Sequence, residues 1–133
     1  MIMLNKIKRM ELLRMEYVIS KGYKLAKACS SEVVEVHESI TITGTPEESA
    51  LLSRILGDKV KLIVWLDALA LGIRPAEELE PLVNVVKMQL AGIKEEISES
   101  NDISAENMTE IVGQILVTET YLTMLEEDIS HYN

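Results

Sequence analysis

Thr45-Pro46-Glu47-Glu48 opens the longest apolar phase in the chain, and no other feature constrains the fold as much. Thr45 can act as a helix N-cap, Pro46 suits the first helical position, and Glu48 completes a capping box. From there Leu51, Leu52, Ile55, Leu62, Ile63, Leu66, Leu69, Ala70 and Ile73 keep one helical phase. The phase survives Gly57-Asp58, which predicts a single helix of about 27 residues and about 40 Å. Gly72, Ile73 and Pro75 then supply a stop: a left-handed glycine, an apolar contact and a breaker. The most apolar part, residues 61–73, is interrupted by Asp67, and its run from Leu62 to Ile73 falls well short of the roughly 20 apolar residues of a membrane span. It reads as a helix buried in a soluble protein.

Three further segments have helical periodicity. From about Met3 to Cys29, Leu12, Met15, Val18, Ile19, Gly22, Leu25, Ala26 and Cys29 share one face, with most of the lysines opposite. The first half of this segment is apolar on a second side as well, through Met3, Ile7, Met10, Leu13 and Tyr17. A third helix is predicted from Ala76 or Pro81 to Ser98, striped by Leu79, Leu82, Val86, Leu90, Ile93 and Ile97. The fourth starts at the N-cap Ser104 and is lined by Met108, Ile111, Val112, Ile115, Leu122, Leu125 and Ile129. Residues 33–43 fit either period and are rich in β-branched side chains; we read them as a helix fraying into an extended connection. The expected fold is therefore all-α, a four-helix up-down-up-down bundle spanning residues 1–133 as one domain, with a short extended segment around 33–43.

Aromatic residues are only 4% of the chain and phenylalanine is absent, so the core must be aliphatic. The single cysteine, Cys29, cannot form an internal disulfide, which fits a reducing, cytoplasmic setting. With no histidine beside it, Cys29 reads as a packing residue and not as a nucleophile. The opening MIMLNKIKRM has no continuous hydrophobic region, so no signal peptide is expected. A net charge of −9 argues against nonspecific nucleic-acid binding. Residues 1–31 nevertheless carry +5 and the remainder −14, so a basic first helix would lie against an acidic body, its own or a partner's.

Asp67 has only Ile63, Val64, Ala70 and Leu71 at helical neighbour positions, and Glu119 sits between Ile115 and Leu122 on an apolar stripe. Both are candidates for buried charge, and Lys8 and Glu11 interrupt the first stripe in the same way. Convergence of Asp67, Glu119 and Glu11 would build a metal or acid–base site; pairing with lysine, arginine or tyrosine would fix helix register; a solvated edge is the third reading for Asp67. The structural readings outweigh the chemical one. His37 and His131 lack a preceding Glu-x-x motif, and Asp128-x-x-His131 lies at a fraying end, so no histidine metal site and no cofactor are expected. Glu77-x-x-Glu80 and Glu99-x-x-Asp102 resemble, on paper, the magnesium-binding pattern of all-α nucleotide pyrophosphohydrolases. Twenty-two residues of one helix, about 33 Å, separate the two pairs, which a shared magnesium site does not allow.

The expected function is a non-enzymatic interaction or assembly module that self-associates, as a homodimer, through apolar helix faces. Ile7, Met10, Arg14, Tyr17 and Trp65 are the candidate contacts. The alternatives are a small metal-dependent hydrolase with a carboxylate site, and an adaptor docking its basic N-terminal helix on an acidic surface of protein, lipid or nucleic acid.

Overall fold

The computed structural model describes residues 14–26, 33–73 and 76–132. Two long strands come first, β1 (Met15–Ala26) and β2 (Val33–Gly44), followed by three helices: α1 (Pro46–Ala70), α2 (Ala76–Glu99) and α3 (Ala105–Tyr132). The strands pair antiparallel, from Met15 opposite Gly44 to Ala26 opposite Val33. A β-hairpin and three helices thus replace the expected all-α four-helix bundle. The segment read as a first helix is a strand over 15–26, and the ambiguous 33–43 is its strand partner.

The physical reason lies in long-range pairing. On β1, Tyr17, Ile19, Lys21, Tyr23 and Leu25 alternate toward the core while Val18, Ser20, Gly22 and Lys24 face out. Lys21 breaks that alternation locally, so the helical spacing of Val18, Gly22 and Leu25 stands out instead. In the folded chain Lys21 lies opposite Glu38, and on the outer face Lys24 lies opposite Glu35. The basic strand therefore runs opposite acidic residues of its own neighbour, of which Glu38 bonds Lys59 and Glu35 bonds His37, a long-range arrangement that no local pattern reveals.

Helix α1 is the centre, packed by both strands on one side and by α2 and α3 on the others. Its ends form as the motifs predict. Thr45 Oγ1 accepts from the Glu48 N–H while the Thr45 N–H donates to Glu48 Oε1, closing the capping box. At the other end Gly72 takes φ +84°, and the Ile73 and Gly72 N–H groups donate to the Ala68 and Leu69 carbonyls. That is a Schellman cap, sealed by buried Ile73. Ser104 caps α3 through the Asn107 N–H.

The core is two apolar clusters separated by polar side chains at mid-height. One gathers Ile19, Ile42, Leu51, Leu52, Ile55, Leu56, Ile93, Ile111 and Ile115. The other holds Val34, Leu62, Trp65, Leu69, Val83, Val86, Leu90, Leu122 and Leu125 among others. At that level each element contributes polar groups: Lys21 and Glu38 from the hairpin, Asp58 and Lys59 from α1, Gln114 and Thr118 from α3, and exposed Gln89 of α2 reaching Asp58 from the surface. No helix among the described residues is long and apolar enough to cross a membrane.

Candidate functional site

Three charged side chains are buried in α1, and sequence patterns pointed to none of them as such. Glu48 is wholly buried, Asp58 is 4% exposed and Lys59 8%. What each can do depends on what surrounds it.

Glu48 reaches beyond its own helix start. Its Oε2 accepts from the Asn107 side-chain amide at 2.8 Å and from both the N–H and the hydroxyl of Ser104 at 3.2 Å. Its Oε1 accepts from the Thr45 N–H at 2.8 Å, with the Arg14 guanidinium 3.7 Å away. One carboxylate therefore joins the N-termini of α1 and α3, both positive ends of helix dipoles. Burial works against ionisation here. The hydrogen bonds from Asn107, Thr45 and Ser104 outweigh it and hold the carboxyl below its ordinary value. With its lone pairs taken by protein donors, Glu48 acts as a structural joint.

Gly44 makes room for that joint. A Cβ there would lie 2.7 Å from the Asn107 amide nitrogen and 2.9 Å from Glu48 Oε1. Removing backbone entropy by Gly44→Ala would stabilise by about 0.5–1 kcal/mol, but overpacking a buried site costs about 1–3 kcal/mol. Gly44→Ala is therefore expected to lower the melting temperature, as followed by circular dichroism.

Lys59 and Asp58 face opposite neighbours. Lys59 Nζ bonds Glu38 at 3.1 Å and Gln114 at 3.3 Å, linking α1 to β2 and α3. A hairpin whose inner face alternates can slip by two residues without turning its apolar side out. Placing Glu38 opposite a fixed Lys59 penalises that slip. Asp58 faces α2, where the Gln89 amide, turned to donate, lies within 2.6 Å of both carboxylate oxygens. Burial pushes the Asp58 carboxyl up to about 6, against the pull of Lys61 and Arg54.

The residues singled out from sequence are placed differently from expectation. Asp67 is exposed, at a solvated edge of α1, and Glu119 is half-buried and paired with Lys94 at 2.8 Å; neither is a buried charge. Trp65 is 4% exposed inside the second cluster, where its area goes to the core and not to a surface contact. Tyr17 is half-buried, packed against the first cluster on the hairpin's inner face. Arg14 is spent on the Thr43 carbonyl and Glu48. Ile7, Met10, Lys8, Glu11 and Cys29 lie outside the described residues. Glu80 and Glu99 sit near opposite ends of α2 and do not converge. His37 is exposed beside Glu35, and His131 is exposed in the last turn of α3. Among the described residues no group of three or more His, Cys, Asp and Glu side chains is arranged to hold a metal ion.

What sequence reasoning missed is a surface. On α3 the exposed positions Val112, Gly113, Leu116, Val117, Thr120 and Met124, with Thr109 and Thr123, fall within one side of the helix and include no charge. Leu116 is 59% exposed and Met124 45%. Helix α2 repeats the feature with exposed Pro81, Asn84, Val85, Met88 and Ala91, Met88 being 76% exposed. Lys94–Glu119 and Lys87–Glu126 bridge the two helices, so the neutral faces flank a rail of paired charge. Reading the fourth helix for a second uncharged side would have found it. Comparison with protein-family models, curated proteins and solved structures found no match to this chain.

Proposed function

We propose that the protein is an assembly module that forms a homodimer by packing the outer faces of α3 and α2 against those of a second copy. The supporting observation is the uncharged, solvent-facing side of α3 from Thr109 to Met124 in a chain that is 26% charged. A helix needing only solubility would carry charge there. The α3 face itself offers a partner no charge to recognise, mainly aliphatic and methyl groups beside threonine hydroxyls, with Gly113 and Thr120 small enough for close approach, and the Lys–Glu pairs beside it are already neutralised within the chain. An identical face meets those demands, and a two-fold arrangement closes without open ends.

The size of the face sets the strength. The α3 stripe runs about 22 Å and two adjacent helices are about 20 Å wide, so each copy would bury roughly 450 Å². That is the low end for specific complexes, which makes the dimer a reversible one. Copies of net charge −9 repel, so added salt should strengthen association. A cytoplasmic setting, supported by the single cysteine, belongs to the same proposal.

Sedimentation equilibrium of Leu116→Glu and Met88→Glu tests this. Each places a charge on the face without entering the core, so helical content should survive while the dimer is lost. Val18→Glu, on the outer face of the hairpin, should dimerise as the parent does. A parent dimer unchanged in both face variants would rule out this surface.

A further inference from the structure

Among the described residues, strand β2 has an open side. The sheet among the described residues has two strands, so the edge of β2 away from β1 carries no strand partner there. A groove of about 340 Å³ runs between that edge, at Ile40, Thr41, Ile42 and Thr43, and the first turns of α3, at Glu106, Asn107 and Glu110. The Thr43 carbonyl is held from the α3 side by the Asn107 amide at 3.0 Å. In an antiparallel ladder the N–H and C=O of one residue point the same way, and the direction alternates. Thr41 therefore also presents its backbone groups to the groove.

We infer that this groove binds an extended, lysine- or arginine-bearing peptide segment of another protein, added as a third strand along β2. Main-chain hydrogen bonds to Thr41 provide the pairing, as in other strand additions. Charge selects the segment. Glu106 and Glu110 stand one helical turn apart on the opposite wall, and both are carboxylates. Glu110 shares one oxygen with Gln114, while the nearby Arg14 guanidinium already serves Thr43 and Glu48. A cationic side chain projecting from the incoming strand would meet this wall, and an acidic one would be repelled.

The test is a titration of the full-length protein, followed by amide NMR, with two synthetic peptides of alternating Val-Lys and Val-Glu sequence. The Val-Lys peptide should shift the Ile40–Thr43 and Glu106–Glu110 amides, slow hydrogen exchange at Thr41, and bind more weakly as salt rises. The Val-Glu peptide should do none of these. Thr41→Pro, which removes the edge N–H at a position where proline is tolerated, should abolish binding. Glu106→Lys with Glu110→Lys should weaken it by about tenfold or more. Leu116→Glu should leave the titration unchanged, which separates this inference from self-association. Equal binding of both peptides, binding retained in Thr41→Pro, or β2-edge shifts that follow protein concentration alone, as a second copy would cause, would each overturn it.

Discussion

Glu48→Ala should lower the unfolding free energy by about 3–5 kcal/mol, the largest loss expected from any single polar side chain here. The substitution removes the acceptor for the Thr45 N–H, the Ser104 N–H and hydroxyl and the Asn107 amide, and leaves those donors buried or half-buried without it. Each orphaned donor costs about 1–3 kcal/mol unless water reaches it. Glu48→Gln keeps the shape but turns one acceptor into a donor among donors, so a loss of about 1–3 kcal/mol is expected. The pH dependence follows from the lowered folded-state value of Glu48. Its stabilisation is fully present above the unfolded value of about 4.5 and disappears as pH falls through the lower folded one. Parent and Glu48→Gln should therefore converge in acid and separate above pH 5. Urea denaturation at both extremes measures this; a loss below 1 kcal/mol for Glu48→Ala would mean the joint is not structural.

The second large effect has the opposite sign. Asp58 is buried as Glu48 is, but among the described residues the Gln89 amide alone meets it from another helix. Its carboxyl rises from 3.8 to about 6 on folding. The folded state then holds the proton more tightly, so stability falls as pH rises from about 4 to 6 and stays reduced above. At roughly 1.4 kcal/mol per pH unit the cost at neutral pH is about 3 kcal/mol at most, because Gln89 favours the charged form. Asp58→Asn should stabilise by about 1–3 kcal/mol at pH 7, and that gain should vanish near pH 4. Melting temperatures of parent and variant across this range decide it. A gain that persists at pH 4 would point to packing and not to charge.

These two carboxylates also show what a sequence does and does not disclose. The capping role of Glu48 is local, three residues from Thr45, and TPEE announces it. Its bonds to Ser104 and Asn107 span more than 50 residues and leave no local trace. The Gly72 cap and the Ser104 N-cap were legible for the same reason as TPEE. The hairpin was not, since Lys21 disguises the alternation of β1 until Glu38 faces it. Asp67 drew attention because its helical neighbours are apolar, yet it lies on the solvated edge of α1. Asp58 and Lys59, charged and beside Gly57, carry no local pattern that marks them as buried. The neutral face of α3 was visible in principle, because an amphipathic helix with one core stripe should be charged elsewhere. Residues 105–132 carry a second uncharged side just as the first half of the 3–29 segment carries a second apolar one.

The most direct measurement is the absolute mass of the parent protein by light scattering, from micromolar to near-millimolar concentration and at low and high salt. Self-association through the α2–α3 face predicts a mass that rises from one chain to two, levels off there, and does so at lower concentration in high salt. A mass of one chain throughout, or one that grows past two without a plateau, would contradict it.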